Sequence, residues 1–298
     1  MKLNLDLIEF EDYLLKKQLK ENSIYQYIKT IQKFLIGNPD INNIEDYNRF
    51  IIVHCINKRK SLVYSALLAY IKFKITDSNT RNKLLENLIK PKIRKDIKRE
   101  RKYLTEKKIL EVIDNMEVLK HKVISIIMHL TGVRIGTIMK LKEENVFFEE
   151  DNNKPVIRLA LTGKGDKRNV PYIYDEVAQK IITNYFKQYP TDTDYYFLEL
   201  GKFGNRKGDP NDLRKLYNMN YQWYWQDLKQ ALTATGINNK EWAAHDYRRC
   251  FARRAYLKFD KDIQVLKNLL NHSNVSTTLR YLDQSGLSNM DYYKELQK

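Results

Sequence analysis

Two neighbouring stretches decide how this chain reads: HDYRRCFARRAYLKF, residues 245–259, and LLNHSNVSTTLRYLD, residues 269–283. In the first, Tyr247, Phe251, Ala255 and Phe259 recur at helical spacing, which predicts a helix with one apolar stripe. His245 and Arg248, at i and i+3, share the face beside that stripe. In the second stretch His272 occupies a break between apolar runs, and Tyr281 follows nine residues later.

Working outward, two further segments carry polar groups at punctuated positions. In LTGVRIGTIMKL, residues 130–141, Gly132 breaks an apolar helix and Arg134 opens the next. In LTGKGDKRNVPY, residues 161–172, Lys164 sits at the tip of an expected hairpin, with Lys167 and Arg168 close behind. Taken singly, each residue has an ordinary structural account. Arg134 reads as a cation near a helix end, Lys164 as a turn residue, His245 as a neighbour of an N-cap and Tyr281 as a half-buried aromatic.

Between Val146 and Tyr174 the pattern changes to the β-rich runs VFF, VIRLAL and NVPYIY. Asp-Asn-Asn and Gly-Lys-Gly-Asp, both turn chemistries, separate them, and the expected result is a three-stranded antiparallel sheet. Helices are expected at Glu106–Asp114, behind a partial cap from Thr105, and at Val123–Leu130. The segment after Tyr174 returns to helix around a Gly/Lys-rich loop, Gly201 to Asp209. A last helix is expected near the end, with Ser288 and Asp291 at its start and Leu287, Met290, Tyr293 and Leu296 on its apolar side. It could pack on its own domain or on a neighbouring protomer.

The first ninety residues read as a run of short helices. Ile24, Ile28, Ile31 and Leu35 follow Ser23, an expected N-cap, and stop at Gly37. Further apolar faces are expected at Ile44–Ile56, Leu62–Ile75 and Asn82–Ile89. The clearest shift in composition is KPKIRKDIKRERK, residues 90–102, with eight cations and two acids. The chain is thus expected to be mainly α with a small antiparallel β-sheet. A helical domain spans residues 1–89, a basic linker residues 90–103, and a mixed α/β domain residues 104–298.

Composition narrows the classes of partner. The 298 residues carry 53 Lys+Arg against 37 Asp+Glu, a net charge of +16, so a polyanion is expected, nucleic acid before membrane surface. An apolar fraction of 43% argues against disorder. Two cysteines, Cys55 and Cys250, exclude a disulfide scaffold and a metal finger, and suggest a reduced, cytoplasmic setting. No apolar run approaches the ~20 residues that span a bilayer, and the N-terminus does not read as an export signal. The sequence contains no phosphate loop, dinucleotide fingerprint, HExxH or GxSxG, so neither a cofactor nor a metal is expected.

In this order, TGVRIGTIMKL, TGKGDKRNVP, HDYRRCFARRAYL and LLNHSNVSTTLRYL resemble the tyrosine recombinases, or phage integrases. The family pattern is TGxR, a GKGxKxR hairpin, HxxR in a helix, then LGH with the nucleophilic tyrosine nine residues on. The resemblance implies that the helical domain is a core-binding domain and that residues 104–298 are catalytic. Three positions depart from the pattern. Thr137 stands where an acid often follows the first arginine, Asn271 replaces glycine before the second histidine, and Arg249 replaces a histidine. Asn is a mild change, because it tolerates left-handed backbone.

What the resemblance implies about roles fits the side chains. Tyr281 would attack phosphorus, leaving a 3′-phosphotyrosyl bond and a free 5′ hydroxyl, with no need of ATP. Arg134 and Arg248 would clamp the phosphate through their planar forks, and His272 would add a third donor. Lys164 would protonate the departing 5′ oxygen, and His245 would accept the phenol proton or hold the groups in line. The expected partner is duplex DNA carrying specific attachment or crossover sites, held in a C-shaped clamp and acted on by a homotetramer. A type IB topoisomerase, a telomere resolvase and a catalytically inactive DNA-binding protein are the rivals.

Overall fold

A computed structural model describes residues 2–54, 60–91, 103–163, 168–188, 193–200, 202–203, 206–207 and 212–283. The chain divides into two compact units, Met1–Lys98 and Arg99–Lys298. Three expectations lie outside the described residues: Lys164 itself, most of the basic run, and the last helix.

The first unit is five helices: α1 (Lys2–Lys16), α2 (Glu21–Ile36), α3 (Ile44–His54), α4 (Lys60–Lys74) and α5 (Ser78–Asn87). Their inward faces meet in a core containing Phe10, Ile31, Phe34, Tyr47, Leu67, Tyr70 and Ile71. Phe10 meets Tyr70 edge to face, with centroids 5.3 Å apart, a favoured arrangement of aromatic quadrupoles. Asn48 latches α3 to the end of α5, donating to the Asn87 carbonyl and accepting from the Ile89 N–H.

Two helix starts differ from the sequence reading. α2 begins at Glu21 with Lys20 as its N-cap, so Ser23 lies inside the first turn and caps nothing. An acid in the first turn complements the macrodipole there. α5 begins before Asn82, because the Asp77 carboxylate accepts from the Thr80 N–H at 2.7 Å and so caps an earlier start.

The second unit opens with α6 (Glu106–Asp114), capped as expected by Thr105, whose hydroxyl accepts from the Lys108 N–H. Next come α7 (Leu119–Thr131) and the short α8 (Ile135–Ile138). α7 is central to the unit, buried on nearly every side and packed against α6, α8, α9 (Glu176–Gln188) and α11 (Ala244–Lys258). It starts at Leu119 rather than Val123 because Asp227 caps it from afar. That carboxylate accepts from the Glu117 and Val118 N–H groups and from His121.

The expected sheet is present. β1 (Val146–Asp151) and β2 (Lys154–Leu159) pair antiparallel, with Val146 opposite Leu159, and β2 pairs with β5 (Tyr172–Ile173). Asn152 and Asn153 both take positive φ, 50° and 61°, as a two-residue turn of matching twist requires. Between β2 and β5 the chain makes a second hairpin, β3 (Leu161–Thr162) against β4 (Arg168–Asn169).

The Gly/Lys-rich loop carries two very short strands, β6 (Lys202–Phe203) and β7 (Arg206–Lys207). The remaining helices are α10 (Leu213–Ala234), α12 (Ile263–Leu269) and α13 (Val275–Asp283). α11 ends at Lys258, so Phe259 falls at its C-cap and stands exposed instead of completing the apolar stripe. There it borders a groove of about 790 Å³ that is also lined by Leu130, Tyr172 and Leu269. Among the described residues no helix is long and apolar enough to cross a membrane.

Candidate active site

Four of the predicted residues converge where the ends of α7, α11, α12 and α13 meet. α7 stops at Gly132, which takes φ +64° and donates its N–H to the Met128 carbonyl. A Cβ on Gly132 would lie 2.3 Å from the ring of Phe251, so the close approach of α7 and α11 requires glycine there. This packing delivers Arg248 to the end of α7, where its Nη1 donates to the Gly132 carbonyl at 2.6 Å.

α12 ends in a Schellman motif. The Asn271 N–H bonds to the Asn268 carbonyl, the His272 N–H bonds to the Lys267 carbonyl, and Asn271 takes φ +50°. The motif turns the chain and sets the buried His272 imidazole between two partners. Nη2 of Arg248 lies 3.1 Å from its Nε2, and the Thr278 hydroxyl lies 3.0 Å from its Nδ1. A guanidinium can only donate, so Nε2 presents its lone pair and Nδ1 carries the proton toward Thr278. The same Nη2 also donates to the Leu270 carbonyl.

α13 carries Thr278 and, three residues on, Tyr281. The Tyr281 hydroxyl lies 2.6 Å from Nε2 of His245, in the first turn of α11. Its ring is 5.0 Å from that of His272 and 5.6 Å from the Arg248 guanidinium. That first turn of α11 is itself fixed by Asp246, whose carboxylate accepts from the Ala243 N–H and pairs with Arg249.

The electrostatics suit an anion. Burial first and the neighbouring Arg134 second lower the Arg248 pKa to about 10, with Tyr281 acting in the opposite sense. No carboxylate is among those influences, and the group stays cationic at neutral pH. Two guanidiniums close enough to repel one another favour an anion beside them. Arg248 Nε is buried with no hydrogen-bond partner among the described residues. Arg134, at the N-cap of α8, is half-buried.

Sequence reasoning did not assign three contributors: the two carbonyls that hold Arg248, the Thr278 hydroxyl, and a hydrogen bond from the Asn271 side chain to Arg168. Thr278 left a trace in the sequence, three residues before Tyr281 on the same helical face, and Asn271 stood out there only as a replacement for glycine. Lys164 is the one predicted site residue outside the described set.

A helix that presents a tyrosine hydroxyl to a histidine, with two arginines alongside, has the groups needed by one class of enzymes, those that break and rejoin a phosphodiester through the protein itself. Known proteins narrow the class. Residues 102–286 match the phage integrase family. The chain is 29% identical over 290 residues to the tyrosine recombinase XerA of Pyrococcus furiosus, covering 92% of this chain and 88% of that protein. The XerH site-specific recombinase bound to a palindromic difH substrate in a post-cleavage complex shares the fold, with a TM-score of 0.59 at 18% identity, covering 87% of this chain and 75% of that one. A lambda integrase tetramer bound to a Holliday junction does so with a TM-score of 0.52 at 14% identity, covering 91% and 77%. The chain belongs to the phage integrase family, and it is a site-specific tyrosine recombinase, a DNA strand breaking and rejoining enzyme.

Proposed function

We propose that this recombinase acts on duplex DNA by two sequential single-strand exchanges through a Holliday junction, with Tyr281 as the nucleophile of each cleavage. The observation that carries the reading is the Tyr281 hydroxyl at 2.6 Å from His245 Nε2, beside the Arg248 fork. In the cleavage step the phenol oxygen bonds to phosphorus and its proton passes to His245. The P–O5′ bond then breaks, and the Lys164 ammonium gives its proton to the departing 5′ oxygen. The products are a 3′-phosphotyrosyl link and a free 5′ hydroxyl, and rejoining is the reverse. The phosphodiester energy is held in the protein–DNA bond, which removes the need for ATP.

Arg134 and Arg248 stabilise the charge that gathers on the non-bridging oxygens. In the structure the Nε2 of His272 accepts from Arg248. When a phosphate oxygen takes over that N–H, Nε2 is free to take a proton from solvent, and the resulting imidazolium donates from Nε2 to the same phosphate while Nδ1–H stays on Thr278. His272 therefore serves as the third donor only with DNA in place. The assembly on DNA is a homotetramer, a reading supported by the tetrameric state of lambda integrase on its junction.

The test is a nicked suicide duplex built on the sequence that the protein selects from a random-sequence pool. Wild-type protein is expected to form a covalent adduct and Tyr281→Phe none; no adduct from the wild type would remove the reading. An adduct accompanied by supercoil relaxation without strand exchange would point to a type IB topoisomerase instead.

A further inference from the structure

The Asn271 side chain spans 103 positions of sequence to donate its Nδ2 to the Arg168 carbonyl at 2.7 Å. The turn does not require this side chain. Asn271 sits at the left-handed position of the Schellman motif, φ +50°, where glycine is the least strained residue. The asparagine therefore brings an amide to a place that needs only a permissive backbone.

What the amide holds is the return arm of the second hairpin. Arg168 opens β4 and pairs with Thr162 of β3, so the bond grips the hairpin at its base, and Lys164 lies between those two residues in sequence. On its other side β3 packs against α8, the helix that begins just after Arg134. The hairpin base is thus tied to the Arg134 helix by packing and to the His272 loop by the Asn271 side chain. The same residue that precedes His272 fixes the strand that leads back from Lys164.

We propose that Asn271 is a positioning residue that couples the placement of the Lys164 hairpin to the His272 loop, so that the general acid is set in register with the phosphate clamp. The inference rests on the reading of Lys164 as the acid that protonates the 5′ oxygen. Asn271 touches no reacting atom. Its effect falls on the proton delivered to the leaving group and spares the attack of Tyr281.

Single-turnover cleavage at saturating protein, on two versions of the mapped suicide duplex, separates this role from a general structural one. One version has the ordinary 5′ oxygen and the other a bridging sulfur at that atom, which leaves without a proton. Asn271→Gly keeps the turn and loses the amide, and Asn271→Asp keeps the shape and loses the donor. Both variants are expected to cleave the oxygen substrate roughly 3- to 10-fold more slowly, the worth of one hydrogen bond, and the sulfur substrate at the wild-type rate. Adding Asn271→Gly to Lys164→Ala is expected to cause no loss beyond that of Lys164→Ala alone. Equal losses on both substrates, or no loss on either, would overturn the coupling. Amide hydrogen exchange at Arg168–Val170 in the free protein gives a readout independent of chemistry. Faster exchange in Asn271→Gly at unchanged melting temperature is expected, and unchanged exchange would overturn the tie itself. If the wild type forms no adduct on either substrate, the function of the site falls, and the Asn271 variants have no part in that result.

Discussion

The Tyr281 hydroxyl and His245 Nε2 stand 2.6 Å apart across 36 positions of sequence, each on its own helix, α13 and α11. In the proposed cleavage step such a distance lets the phenol proton leave along an existing hydrogen bond as the oxygen attacks. Two features set the distance: the Schellman turn, which aims α13, and Asp246, which fixes the first turn of α11.

Replacing the imidazole with His245→Ala is expected to slow adduct formation by about 10²- to 10⁴-fold while leaving DNA affinity unchanged. Quench-flow cleavage with parallel binding titrations measures both. A variant that cleaves at the wild-type rate would show that the contact has no part in proton transfer.

Thr278 is fully buried and is the partner of the His272 Nδ1 proton. Thr278→Val, which keeps the shape, leaves that N–H unpaired and is expected to cost about 1 to 3 kcal/mol of stability. Thr278→Ser is expected to restore most of it. Denaturant titration of the two variants decides, and equal losses would show that the methyl group matters more than the hydroxyl.

Gly132 and Gly236 both take positive φ, 64° and 73°, but only the first has a neighbour in the way. Gly132→Ala meets the Phe251 ring and is expected to cost about 2 to 4 kcal/mol, backbone strain and overpacking together. Gly236→Ala has open space and is expected to cost about 1 to 2 kcal/mol, from the backbone alone. Thermal melts that rank the pair the other way would refute the packing argument.

His129 on α7 is held down to about 4 by burial and then by the Arg254 cation, against the opposing pull of Glu106 and Asp175. Its unfolded counterpart titrates near 6.5, so between these values the unfolded chain binds the extra proton. Stability is therefore fully present above about pH 6.5 and falls, by up to about 3 kcal/mol, as the pH drops toward 4. The carboxylate of Asp227 also weakens the fold in acid, but its window lies lower, below its ordinary value of 3.8. Unfolding free energies of the wild type and His129→Gln across the higher window test the assignment, and parallel curves would reject it.

A surface that contacts roughly 6 to 10 phosphates loses about 10³- to 10⁵-fold in affinity between about 50 and about 200 mM salt. The net charge of +16 leads to the expectation that this recombinase falls in that range. Fluorescence anisotropy with a short duplex gives the slope, and a flat dependence would contradict a phosphate-tracking surface.

Local physics made much of the fold legible in the sequence. Helical spacing announced α2, α6 and α11, Gly132 announced the end of α7, and Asp-Asn-Asn announced the β1–β2 turn, because each depends on residues within a few positions of one another. The order of the four motif segments also indicated which side chains to watch. Tertiary structure decided what those side chains do together. The start of α7 depends on Asp227, more than a hundred positions away, and the hold on Arg248 comes from carbonyls at residues 132 and 270. His272 acquires its tautomer from Arg248 and Thr278, and Asn271 finds Arg168 across the unit. Hydrogen bonds of this kind leave no periodicity, since their geometry exists only once α7, α11, α12 and α13 have packed and brought distant stretches of chain within hydrogen-bonding distance of each other.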